Sequence, residues 1–162
     1  MDFYLVFVSL GFVVVYGGLL VLFPYFFVQP WGSVWAGSWW SVGLILLLSS
    51  VGYAIAFSLP GLEAGNRFLH AYGGGGMGMV TCFLAWRNSG VKAGTFQFYV
   101  LASFIVIALG VASEIAEFIL QQLTGVVLAR SVTDTWLDLV SNVVGIIVAG
   151  VCLVPFLRTF KK

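Results

Sequence analysis

Glu114, Glu117, Asp134 and Asp138, followed by Asn142, fall in segments apolar enough to cross a bilayer, in a chain that otherwise avoids charge. An ionisable side chain near the middle of a membrane helix costs roughly 2.5–3.5 kcal/mol on insertion scales. Groups that costly pair with one another, bind an ion or line a wet cavity. His70 is the single histidine of the chain. A histidine among carboxylates suits a hard or borderline divalent cation, a proton relay or general acid–base chemistry. The spacing matches no specific metal motif. No serine or cysteine has an adjacent base that would make it a nucleophile; Ser113 precedes Glu114, but neighbouring helical residues point apart.

Asp134, Asp138 and Asn142 are spaced i, i+4, i+8, which on a helix makes one polar stripe. Gly145 and Ala149 continue near it and are small enough for close helix contact. On the preceding segment Glu117 lies one turn from Glu114, and Gln121 nearly eclipses Glu114 two turns away. The short connection from Thr124 to Val132 favours an antiparallel hairpin that brings the two stripes face to face. His70 follows Asn66, Arg67, Phe68 and Leu69 and precedes Tyr72 and the glycines 73–76. Those glycines let another helix or a substrate approach the backbone; the segment is too apolar for a phosphate-binding loop. Like charges in a dry site oppose one another's ionisation, so something must compensate the acids. Arg67 and Arg130 are the cationic candidates; both are expected at the membrane surface, within reach of the upper acids only. A site fully paired by them would be a network that ties helices together.

The elements that position these groups are membrane spans. The chain has 162 residues, 61% of them hydrophobic and 8% charged, against about 25% charged in soluble domains. Its net charge of +1 offers no basic surface for nucleic acid. Cys82 and Cys152 both fall in apolar stretches and read as small core residues, not as a disulfide or a metal pair. A span takes about 20 apolar residues, and the chain offers five, at about 3–27, 36–59, 68–86, 95–123 and 133–157. The expected fold is therefore all-α: a single polytopic transmembrane helical bundle over residues 1–162. Trp31, Trp35, Trp39 and Trp40 read as an interfacial aromatic belt. The start, MDFYLVFVSL, lacks the positive region of a signal peptide, so the first span is expected in the mature protein.

Positive charge sets the expected topology. Arg87 and Lys92 lie between spans three and four, and Arg158, Lys161 and Lys162 follow span five. An odd span count puts both regions on one side, opposite Arg67 and Arg130. The positive-inside rule then places the C-terminus in the cytoplasm and the N-terminus outside. His70, Glu114, Asp134, Asp138 and Asn142 would then share a layer in the outer half of the bilayer.

The hairpin resembles the VanZ-like family of small polytopic membrane proteins. The resemblance is carried by Ser113-Glu114-Ile115-Ala116-Glu117-Phe118, then by the run from Thr133 to Gly145. The family shows Glu-x-x-Gln/Glu on one span and Asp-x-x-x-Asp-x-x-x-Asn-x-x-Gly on the next. The His70 segment is similar to an Asp-Arg/Lys-x-x-His stretch in many relatives, with Asn66 standing where they carry the acid. Glu117, where the type member has Gln, moves the chain toward a neighbouring family of bacterial and archaeal membrane proteins with a Glu-x-x-Glu signature. The resemblance covers roughly residues 66–150 and leaves spans one and two unmatched. It implies a protein of the bacterial or archaeal cytoplasmic membrane, with the polar site toward the extracytoplasmic side. The type member's link to glycopeptide resistance gives a compartment but no reaction.

Three classes of function remain open. The first is binding or modification of a cell-envelope lipid or lipid-linked precursor. Glu114, Asp134, Asp138 and His70 would then do chemistry, while Arg67, Glu117, Gln121, Arg130 and Asn142 bind substrate. A divalent cation could sit at His70, Glu114 and Asp138. The second is a small ion- or proton-coupled transporter, which five spans would have to build as a homo-oligomer. The third is an accessory subunit of a larger membrane complex. Whether the protein is an enzyme stays open at this point; membrane lipids are partners in all three.

Overall fold

The computed structural model describes residues 9–20, 38–89, 94–128 and 131–158. The described residues form helices and short connections, with no strand among them. Helix α1 covers Ser9–Leu20, α2 Ser38–Ser58, α3 Leu62–Leu69, α4 Gly78–Ser89, α5 Thr95–Thr124 and α6 Val132–Arg158. Between α3 and α4 the chain keeps winding, as a wider π-helical segment over His70–Met77. Trp39–Ser58, Thr95–Thr124 and Val132–Leu157 are each long and apolar enough to cross a membrane.

The helix ends follow local chemistry. α2 stops where Pro60 withholds an N–H and disfavours helical geometry at the residue before it. Gly61 then turns the chain at φ 84°, a conformation that costs a side chain dearly. α5 opens with the Gly94 N–H donating to Gln97 Oε1 at 2.9 Å. It closes at Gly125, in the left-handed conformation, whose N–H reaches the Gln121 carbonyl. α6 is capped by Ser131, whose Oγ accepts from the Asp134 N–H at 3.1 Å. Asp134 itself lies in the first turn, where a carboxylate complements the helix dipole.

The pattern of burial is reversed from that of a water-soluble bundle. Leu47, Val51 and Phe57 on α2, Phe104, Ile115 and Phe118 on α5, and Val140, Ile147 and Val151 on α6 all face outward. Asn66, His70, Glu114, Glu117, Asp138 and Asn142 are buried. An apolar exterior this extensive needs a partner or lipid to cover it, and interior ionisable groups are the arrangement membrane helices adopt. Trp39 and Trp40 point outward, as an anchoring pair would; Trp31 and Trp35 lie outside the described residues.

The π-helical segment sits at the centre, packed against α6. A Cβ on Gly75 would come within 2.8 Å of the Gly145 Cα, and one on Gly145 would overlap the Ala71 carbonyl oxygen. These two glycines thus allow backbone-to-backbone contact that no larger residue permits. The wide winding is seen in the Gly78 N–H, which bonds the Gly73 carbonyl five residues back. The sequence predicts an ordinary span over about 68–86; the helical backbone instead runs from Leu62 to Ser89 and widens at His70. The expected second, fourth and fifth spans agree with α2, α5 and α6 to within a few residues. Of the first expected span, α1 is the described part. Cys82 is fully buried, as expected, whereas Cys152 points out of the bundle and is no core residue.

Candidate functional site

Three elements converge on His70. α3 supplies Asn66 and Arg67, α5 supplies Glu114 and Glu117, and α6 supplies Asp134, Asp138 and Asn142. Asn66 and His70 are one turn apart, so both face α6. The Asn66 amide Nδ2 donates to Asp138 Oδ1 at 3.0 Å and to Oδ2 at 3.2 Å. His70 Nε2 lies 3.5 Å from Asp138 Oδ1, and Nδ1 lies 3.8 Å from Glu114 Oε1. One donor atom from each of His70, Glu114 and Asp138 falls within 4.8 Å of the others. Phe12 of α1 closes over the imidazole edge-on, with ring centres 5.8 Å apart.

Arg67 grips the upper part of α6. Its Nη2 donates to Asp134 Oδ1 at 2.5 Å, and its Nη1 to Asp138 Oδ1 at 2.5 Å and to the Asp134 carbonyl at 2.9 Å. Glu63, one turn earlier and exposed, stands 3.8 Å away. The sequence places Arg67 at the surface with access to the upper acids alone. The structure carries it on α3 down to Asp138, because the helix begins six residues before the expected span. Arg130 lies outside the described residues.

Below this paired layer the polar groups are less well served. His70 has no exposed surface, and neither of its ring nitrogens makes a hydrogen bond among the described residues. Glu114 Oε1 and both amide atoms of Asn142 are likewise without partners there. Asn142 stands next to His70 without hydrogen-bond geometry to either ring nitrogen. It is wedged between Gly74 and Gly110: a Cβ on Gly110 would lie 2.9 Å from Asn142 Nδ2, and one on Gly74 would strike Oδ1. A buried donor or acceptor left unmade costs about 1–3 kcal/mol, so this set is an expensive one.

An apolar groove of about 260 Å³ runs between α1 and α5 beside the cluster. Its walls include Phe12, Tyr16, Gly74, Gly110 and Ala116, with Glu117 and Ser113 as polar members. Gly74 and Gly110 are the same residues that hold Asn142, so the groove and the cluster share a wall. Glu117 is buried and belongs to the groove. Gln121, two turns beyond Glu114, has its Oε1 occupied by the Leu128 N–H at 3.0 Å, where it holds the α5–α6 connection. Asn66 is the residue whose part the sequence did not suggest, although its i, i+4 spacing to His70 carried the signal. Phe12 and Tyr16 gave no signal, since α1 reads as uniformly apolar.

Compared with known proteins, the chain matches no family model, no curated protein and no solved structure. Fold and site together define, over the described residues, an all-α protein with three helices long and apolar enough to cross a membrane and a buried His–Glu–Asp cluster.

Proposed function

We propose that this is a membrane-embedded protein of the VanZ-like type that binds, and acts on, the polar head of an envelope lipid or lipid-linked precursor. The observation that carries the reading is His70. It is fully buried, lies between the carboxylates of Glu114 and Asp138, and among the described residues has neither nitrogen committed to a hydrogen bond. A helix-tying network would have its polar atoms paired. Asp138, Asp134, Arg67 and Asn66 do form such a network, and in this reading they hold Asp138 in position. His70 and Glu114 are left to exchange protons with a substrate or to orient its head group. The neighbouring groove suits an acyl or isoprenoid chain, and Glu117 and Ser113 would face the more polar part of that chain.

In the same proposal the protein spans the cytoplasmic membrane of a bacterium or archaeon five times. The N-terminus lies outside, the C-terminus inside, and the cluster sits in the outer half of the bilayer. The charge bias of Arg87, Lys92, Arg158, Lys161 and Lys162 supports that orientation. The test is native mass spectrometry of the detergent-purified protein. A lipid is expected to co-purify with the wild type and to be lost from Ala116→Phe, which fills the groove. An unchanged lipid complement in that variant would count against the reading.

A further inference from the structure

We propose that His70, Glu114 and Asp138 bind a divalent first-row transition cation of the zinc or manganese type, a site that deepens the function proposed above and rests on the cluster being a working one. The donor atoms already lie within 4.8 Å of one another. Zinc bonds of about 2.0–2.2 Å put tetrahedral donors roughly 3.4 Å apart. The carboxylates therefore need to close by at most about 1.4 Å, which a side-chain rotation supplies.

Two independent observations point to a ligand in this space. The first is the set of orphaned atoms: both nitrogens of a fully buried His70, and Oε1 of Glu114 opposite Nδ1, make no hydrogen bond among the described residues. The second is placement. Glu114 from α5 and Asp138 from α6, both buried, bring carboxylate oxygens to 3.8 Å and 3.5 Å of the same imidazole, an anionic donor set suited to a cation.

The ligand set also selects the ion. One imidazole with two carboxylates is a borderline set, suited to zinc, manganese or iron. Magnesium prefers an octahedral shell of oxygens, and a soft ion would ask for thiolate. Cys82 is not in the cluster. Asp138 has the support that metal-binding carboxylates usually need: Arg67 holds Oδ1 and Asn66 bridges both oxygens, which leaves a lone pair on Oδ2 for the ion. Three protein ligands leave a coordination position open, which a phosphate or carbonyl oxygen of the substrate could fill.

The test uses the full chain in detergent, stripped of metal and titrated separately with Zn²⁺, Mn²⁺ and Mg²⁺. Calorimetry and elemental mass spectrometry after gel filtration give affinity and stoichiometry. Zn²⁺ or Mn²⁺ is expected to bind once per chain, at least about tenfold more tightly than Mg²⁺. His70→Ala and Glu114→Gln are each expected to weaken binding by roughly 100-fold, and Val140→Ala, on the outward face of α6, to leave it unchanged. Co²⁺ loaded into the wild type should give visible d–d bands without a thiolate charge-transfer band, a readout that needs no variant to fold. Failure of the wild type to take up either ion stoichiometrically would overturn the proposal and leave water or protons as the occupant. So would unaltered affinity in both variants. Lipid retained by metal-free protein that takes up no ion would sink the metal site alone; metal taken up by protein that holds no lipid would sink the lipid reading alone.

Discussion

His70 Nε2 lies 3.5 Å from Asp138 Oδ1, the same oxygen that accepts from Arg67 and Asn66. One carboxylate thus joins the layer paired by α3 and α6 to His70 and Glu114, whose ring nitrogens and Oε1 have no hydrogen-bond partner among the described residues. That division sorts the acids by role, and the expected effects of substitution follow from it.

Arg67→Gln removes the guanidinium from Asp134 and Asp138 together. Breaking a buried ion pair on one side costs about 3–5 kcal/mol, and partial exposure of Arg67 places this case at the low end, about 3 kcal/mol. Thermal unfolding in detergent should show a marked loss. Adding Asp138→Asn to that variant should restore part of it, because the uncompensated charge goes. No recovery in the double variant would show that the charge of Asp138 is not what Arg67 balances.

Glu114→Gln and Asp138→Asn should differ in stability. Glu114 Oε1 makes no hydrogen bond among the described residues, so its neutral isostere should unfold at or above the wild-type temperature. Asp138→Asn weakens three charge-assisted bonds, one from Arg67 and two from Asn66, and should unfold lower. The same ranking is expected for a site whose residues are kept for work at the expense of stability. Equal melting temperatures would contradict it.

Gly145→Ala should be among the most damaging single-methyl changes in the chain. Its Cβ has no room beside the Ala71 carbonyl and the Gly76 nitrogen, so α6 must move off the π-helical segment. Overpacking of this kind costs about 1–3 kcal/mol or more. Gly43→Ala on α2 meets nothing within 4 Å and should be tolerated. The pair can be compared by melting temperature and by the yield of folded monomer after gel filtration.

Topology is tested by cysteine labelling with a membrane-impermeant reagent in intact cells. A cysteine at position 2 is expected to react and one at position 162 to stay protected, in a background where the outward-facing Cys152 is replaced by alanine. Labelling at position 162 from outside would reverse the proposed orientation.

Much of the site was legible because helical spacing and membrane cost act together. Asp134, Asp138 and Asn142 sit i, i+4, i+8 on a span that cannot afford idle acids, and α5 and α6 form as the apolar pattern predicts. His70 was harder to place, since it belongs to a helix distant in sequence. Its approach to α6 depends on Gly75 and Gly145, which allow close packing without specifying the partner. The reach of Arg67 along α6 was misjudged for a related reason. Hydropathy dates the start of a span by its first apolar run, whereas α3 begins at Leu62 and buries its polar Asn66 and Gly65 against its neighbours. The π-type winding and the role of α1 left no mark in composition or period.

The most direct measurement is ligand retention by Glu114→Gln, followed by native mass spectrometry beside its melting temperature and compared with the wild type. The variant is expected to keep the wild-type fold and thermal stability while losing the co-purified lipid or precursor, together with any envelope phenotype the wild type confers. Glu114→Gln that retains the same ligand, phenotype and stability would contradict a working site at His70, Glu114 and Asp138 and reduce the cluster to a tie between helices.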